Sequence, residues 1–454
     1  MLLGTALRVG LFWINPPGNS FDNHFEPIRI IMDTGHTPPK LACWECYQPP
    51  IFYVTSAITG DFLLGSGIAS NNDLAKYLQF LNCLYGIATL WVVLLILRLL
   101  PLSDFAKLLS FGILCFLPRH IYMSALHSND TLAYLAVSVC IYFLILIAEK
   151  QHTSIALLLL MSVVVSITIF VKYTALIIIP AIALAFLLLP WRHSLSFRFA
   201  ATKGIVVLML PLVLLGAYIA SNVHTYGTAL PFNTVIYNPT EHQPHDEKKY
   251  DFLSFKPWLF IEYPILRPGQ LNSFWTILHA GMWFDIEPKF LRFTGNDQWW
   301  DLYYGWLNGG NNFPDDTAGG PRHSILYVGS SLEALGIMPQ ILGVSGLVFL
   351  IKDLLPGSTR RRECLVLSLI FLGLWIFAAG QAALLAMNVP VFSSMKSSYV
   401  LTALPAFCAF AGFGVQALEK WRWSRIACGA LLGVFFQLVI VHVLQIAYYW
   451  PSLV

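Results

Sequence analysis

Long apolar runs broken by short polar stretches dominate the chain. A helix needs about 20 mostly apolar residues to span a bilayer, and this criterion predicts eleven segments: about 1–14, 77–97, 108–122, 131–148, 153–171, 173–190, 204–222, 331–351, 364–386, 399–418 and 426–448. The first is short, so either it starts deep in the bilayer or the true N-terminus lies upstream. The run 153–190 is too long for one span, and Lys172 near its middle marks the turn into a second. Two long connections stand out, 15–76 and 223–330. In the first, Pro27 opens a short helix that Gly35 ends, and a second such stretch follows Pro49-Pro50. Both are too short to span and are expected to lie in the interface. In the second, segment 271–284 is apolar but too short to span, so it reads as interfacial or re-entrant.

Composition agrees with this pattern. The 454 residues are 57% hydrophobic and 11% charged, against roughly 25% charged in soluble domains. A water-soluble enzyme, a disordered chain and a disulfide-dense scaffold are excluded. The net charge of +3 is too small and dispersed to suggest nucleic-acid binding. The expected fold is an all-α polytopic membrane protein, one transmembrane domain over 1–454. No cleavable signal peptide is expected, because 1–14 lacks a basic start and meets Asn15-Pro16-Pro17.

Charge then gives orientation. Five short connections, around Arg98, Lys150, Arg198, Arg361 and Arg422, hold 13 of the 27 Lys and Arg residues. Alternation places all five on one side, expected to be cytoplasmic. Loops 15–76 and 223–330 then face the opposite side, with the turns at 123–130, 172 and 387–398.

Candidate chemistry gathers on that outer side. Asp22, His24 and Arg29 follow the first segment, and His127-Ser128-Asn129-Asp130 precedes the fourth. A carboxylate there suits a general base or a metal ligand, although Asp130 also suits a helix N-cap. Lys172 and Lys396 either snorkel to the headgroups or capture a phosphate, with Arg29 a third candidate. Cys43 and Cys46 form a local disulfide, a zinc half-site with His36 and His24, or two buried thiols. The second loop holds six of the 14 Trp residues, which serve as core, as an interfacial belt, or as stacking faces for sugar rings.

Together the order and sidedness of these motifs resemble the GT-C glycosyltransferases that use polyprenyl-phosphate sugars, a group containing protein O-mannosyltransferases and lipid A aminoarabinose transferases (glycosyltransferase family 39-like). The resemblance covers about 1–410. It rests on Phe21-Asp22-Asn23-His24, on Tyr47-Gln48-Pro49-Pro50-Ile51-Phe52-Tyr53, on Asp130 in its motif, on Lys172-Tyr173-Thr174-Ala175-Leu176, and on Tyr399 to Ala406. Relatives often pair two acids at the first motif, where position 23 here is Asn. The aminoarabinose branch has Lys before Pro-Pro, where position 48 here is Gln.

The resemblance implies an inverting membrane glycosyltransferase, hexosyl- or pentosyl-transferring, in the plasma (inner) membrane and serving the cell envelope. The donor is a polyprenyl-phosphate-linked sugar, and the acceptor a glycan, lipid or protein. Expected catalytic residues are Asp22, Asp130, His24 and His127. Donor phosphate is expected at Lys172, Lys396 or Arg29, and sugar or acceptor at Glu45, Tyr47, Gln48, Trp283 and Asp285. Some relatives use a divalent cation, but the spacing here shows no ligand motif, so no metal residue is assigned. The alternative class is a transporter or flippase of lipid-linked sugars; against it stands the lack of an inverted repeat in the hydropathy.

Overall fold

The computed structural model describes residues 1–15, 17, 23–149, 153–193, 196–232, 274–284, 321–353, 361–388 and 396–453. Among these residues the chain is helical, with no strand. Fifteen α-helices follow in order: α1 Leu2–Ile14, α2 Phe25–Thr34, α3 Ile51–Gly65, α4 Leu74–Leu99, α5 Asp104–Cys115, α6 Pro118–Ser124, α7 Asn129–Glu149, α8 Ile155–Ile169, α9 Ile178–His193, α10 Phe197–Tyr226, α11 Phe274–Trp283, α12 Pro321–Asp353, α13 Arg361–Asn388, α14 Leu404–Leu418 and α15 Arg422–Leu453. Two 3-10 turns, Tyr173–Ile177 and Ser397–Ala403, lead into α9 and α14.

Among the described residues eight stretches are long and apolar enough to cross a membrane, and each coincides with an expected segment. This is a multi-pass membrane protein. The expected count of eleven is not reproduced: α1 and α8 are shorter apolar helices of 13 and 15 residues. Segment 108–122 is not one continuous helix. Pro118 has no N–H to continue a helix, so α5 stops at Cys115 and α6 begins at Pro118. The carbonyls freed at that break are met from α1, where the fully buried Arg8 donates to Leu114 O at 3.2 Å and Cys115 O at 3.0 Å.

The core centres on α14, buried from Leu404 to Val415. Its small residues let α12 approach closely. A Cβ at Gly346 would fall on Phe410 O, and one at Gly414 on Leu342 O. Van der Waals contact between close backbones is a main source of helix association in lipid. The helices expected in the first connection are α2 and α3. Gly35 ends α2 in a left-handed conformation (φ 70°), and Ile28, Phe52, Tyr53 and Ala57 join α2 and α3 to Leu74 and Leu78 of α4.

Candidate functional site

Helix α7 begins at Asn129, which puts Asp130 inside the first turn rather than at the cap. Ser128 does the capping: its Oγ accepts from Asp130 N at 3.1 Å and donates to Asp130 Oδ2 at 3.2 Å. The carboxylate is thereby aimed at the turn after α8, where Lys172 Nζ lies 2.8 Å from Oδ2. Both side chains are buried, each residue 5% exposed. Among the described residues Asp130 Oδ1 has no hydrogen-bond partner. Lys172 also lies 5.6 Å from the ring centroid of Tyr399.

Beside this pair is a cavity of about 300 Å³. Gln48, Lys172, Thr174 and Gln381 are polar residues of its lining, and Leu176, Leu384 and Leu385 line it with apolar surface alongside Tyr47, Tyr173 and Tyr399. The Thr174 hydroxyl and Gln48 Oε1 are buried, without hydrogen-bond partners among the described residues. Hydrogen bonds fix the aromatic walls. Tyr173 OH donates to Tyr47 O at 3.1 Å and lies 3.1 Å from Tyr218 OH, while Gln381 Nε2 donates to Tyr173 O at 2.9 Å.

The segment carrying Tyr47 and Gln48 is tied down twice. Cys43 and Cys46 form a disulfide, so their thiols are not a zinc half-site. Lys40 Nζ donates to Gln48 O at 2.9 Å and lies 5.0 Å from the Tyr218 ring centroid. Burial lowers its pKa to about 8.

A second polar group sits within the first connection, where the start of α2 and the disulfide segment meet α3. His24 Nδ1 is 2.9 Å from Tyr53 OH and 3.9 Å from Glu45 Oε2. The ring of Phe52 lies between His24 and His127, with centroid distances of 6.1 and 5.5 Å. Burial pushes the pKa of His127 down to about 4.

Of the residues singled out in the sequence, the fold joins Asp130 to Lys172, brings Tyr47 and Gln48 to the same cavity, and groups His24 with Glu45. Arg29 stays exposed on α2, stacked over Phe25 at 5.9 Å. Lys396 is half-buried before the second 3-10 turn. Trp283 is fully buried, packed 5.4 Å from the Phe435 ring and 6.3 Å from Phe407. Asp22 and Asp285 lie outside the described residues. The sequence reading missed Lys40, Gln381, and Tyr173 and Tyr399 as cavity walls. Gln381 alone carried a signal, as a polar residue inside a predicted span. Among the described residues no three His, Cys, Asp or Glu side chains gather to hold a metal. Asp130 already spends one oxygen on Lys172, so the described residues do not make a cation site by themselves.

Residues 61–216 match the family described as dolichyl-phosphate-mannose-protein mannosyltransferase. No curated protein matches the sequence. Among solved structures, the oligosaccharyltransferase of Archaeoglobus fulgidus in complex with Zn and sulfate matches with a TM-score of 0.50 at 11% identity, covering 97% of this chain and 52% of that one. The same archaeon's AglB, in complex with an inhibitory peptide and a dolichol-phosphate, gives 0.50 at 12% identity, covering 99% and 54%. ArnT from Cupriavidus metallidurans, bound to undecaprenyl phosphate, is a looser likeness at a TM-score of 0.36 and 13% identity, covering 92% and 78%. This chain thus spans about half the length of the oligosaccharyltransferases it matches. With the matched segment lying across α4, α7, α8 and the Lys172 turn, and the fold extending over nearly the whole chain, the protein resembles the GT-C glycosyltransferases in both sequence and architecture.

Proposed function

We propose that this protein is an inverting glycosyltransferase that moves a monosaccharide from a polyprenyl-phosphate donor to an acceptor, on the extracytoplasmic face of the plasma membrane. One observation carries the reading: a buried lysine, paired with the Asp130 carboxylate, lines a cavity together with a set of apolar side chains. An anionic head with a hydrocarbon tail fits that lining. Phosphate oxygens would take charge-assisted hydrogen bonds from Lys172 and an uncharged one from Thr174, while the first isoprene units would lie against Leu176, Leu384 and Leu385.

The matched oligosaccharyltransferase held a dolichol-phosphate, which supports a lipid phosphate as the ligand class. Sidedness rests on the five basic connections, which leave the loops 15–76 and 223–330 outside.

In the chemical step, an acceptor hydroxyl loses its proton to the carboxylate of Asp22. The acceptor oxygen bonds the anomeric carbon as the bond from that carbon to the phosphate oxygen breaks. The electron pair leaves with polyprenyl phosphate, and the sugar inverts. Asp130 pairs with Lys172 and holds it in place, and His24 with Glu45 ties the acidic segment to α3. No step is routed through a metal.

The test is to incubate the purified full chain with a radiolabelled polyprenyl-phosphate sugar. Release of polyprenyl phosphate with transfer of the label is expected. Asp22→Asn should cut turnover by about 10²–10⁴-fold, the usual contribution of a general base, while donor binding survives. Movement of intact donor across a liposome without cleavage would replace this reading with a flippase.

A further inference from the structure

Helix α4 spans the membrane, yet its first turns carry Lys76, Gln79 and Asn82 at three-residue spacing. That spacing puts all three on one helix face. Polar side chains in a spanning helix are costly unless paired. Gln79 and Asn82 are fully buried, and the three side chains reach the end of α1, the turn between α6 and α7, and the start of α7.

Lys76 Nζ donates to Phe12 O at 2.5 Å and Asn15 O at 2.6 Å. Gln79 Nε2 donates to Ala125 O at 2.7 Å, a carbonyl that also accepts from Asn15 Nδ2 at 2.6 Å. Asn82 Nδ2 donates to Ser128 O at 2.5 Å and to Thr131 Oγ1 at 3.2 Å. On the same face, Gly86 leaves room for Ser124, whose hydroxyl a Cβ would strike. The turn so held passes its position on. Ser128 orients Asp130, Asn129 Nδ2 donates to Val171 O at 3.4 Å, and Asp130 grips Lys172.

Two leucines on α4 would fill similar volume but would leave Ala125 O short of a donor and Ser128 O with none from α4. Directional bonds from one rigid helix to two carbonyls of a turn fix it against both sliding and rotation. We propose that Gln79 and Asn82 are positioning residues, which set Asp130 against Lys172 and thereby shape the phosphate end of the cavity. The proposed function supplies only the ligand here; the chain of contacts stands without it.

The first readout uses no ligand. In the detergent-purified full chain, acylation of the Lys172 amine is followed by mass spectrometry and normalised to the exposed Lys352. Asn82→Leu should speed acylation at Lys172 by about 10-fold or more, because the lost bond frees the turn to open. Leu432→Ala, which loses packing in α15 far from the turn, should lower thermal stability and leave Lys172 slow. Unchanged acylation in Asn82→Leu, or equal acceleration in Leu432→Ala, overturns the proposal. Should Asn82→Leu fail to fold, Gln79→Met carries the same expectation.

The second readout is binding of undecaprenyl phosphate. Asn82→Leu should weaken it about 10-fold in the wild-type background and cause no further loss beside Lys172→Ala, the non-additivity expected of residues acting through one another. Additive losses overturn the proposal. Faster acylation with no binding even by the wild type would leave the positioning role intact and remove the proposed ligand.

Discussion

Lys172 and Lys396 each stand immediately before a 3-10 turn that leads into an apolar helix, Tyr173–Ile177 in one case and Ser397–Ala403 in the other. Both have extended backbones, with φ −158° and −90°. Each turn also carries a Thr-Ala-Leu sequence, at 174–176 and at 402–404. The difference comes from α7. One turn of that helix apart, on the same face, it offers Asp130 to Lys172 and Tyr134 to the second 3-10 turn, where Tyr134 OH donates to Ser398 O at 3.0 Å. The first turn receives a carboxylate and the second a neutral phenol. At the first boundary the fold buries the cation beside the Asp130 carboxylate, whereas Lys396 stays half-buried.

The largest expected effect follows directly. Lys172→Ala strands the Asp130 carboxylate in a buried site, and breaking a buried pair in this way costs about 3–5 kcal/mol. Unfolding in mixed micelles should show a loss of that size, and the donor KM should rise about 10- to 100-fold. The double variant Lys172→Met/Asp130→Leu should recover most of the stability and none of the donor binding. A single variant as stable as the wild type would break the comparison.

How much of this was legible in the sequence depends on range. Hydropathy located all eight long spans because a bilayer imposes one length and one polarity on each. It missed the break in 108–122, since Pro118 and the Arg8 guanidinium that makes the break tolerable are distant in sequence. Asp130 and Lys172 were each marked as polar residues at a boundary, and their pairing was not, because it depends on how α7 meets the end of α8. Trp283 shows the converse. Its loop was rich in Trp and acids, which favoured sugar contact, while the helix it belongs to packs that indole among Phe407 and Phe435. Gln79 and Asn82 sat in an expected span as apparent exceptions to its pattern.

Acid should loosen the Lys172 side before the Lys396 side, through His127. Burial holds its folded pKa at about 4, below the ordinary 6.5. The unfolded chain therefore binds more protons between these values, and stability rises with pH across that window. The contribution is fully present above about pH 6.5 and lost as pH falls toward 4, amounting to about 3 kcal/mol. Unfolding midpoints at pH 7 and pH 4.5 check this. His127→Gln should show a clearly shallower decline than the wild type, and parallel declines would assign the acid sensitivity elsewhere.

A smaller effect is expected at the wall that closes the Lys172 cavity. The Cys43–Cys46 bridge spans a short loop, so its removal by Cys43→Ser/Cys46→Ser should cost about 2 kcal/mol on chain entropy. The bridge also shapes the segment that presents Tyr47 and Gln48. Donor KM should therefore rise with it, whereas acylation at Lys396 should not change. Mass spectrometry of the non-reduced peptide spanning 41–48 verifies the bridge by the absence of two hydrogens.

The smallest effect belongs to Lys396→Ala, and it is the sharpest check on the comparison. Lys396 is half-buried at the start of its turn, more exposed than Lys172. Tyr134 of α7 meets that turn as Asp130 meets Lys172. Interactions of partly exposed charges contribute under about 1 kcal/mol. Stability should change by no more than that, and donor KM by less than about fivefold. Parallel unfolding and binding measurements on the two alanine variants make the test. Equal rises in donor KM would mean that both 3-10 turns meet the phosphate. A large loss of stability on Lys396→Ala would mean that this lysine too holds a buried acid, and the contrast drawn from α7 would fail.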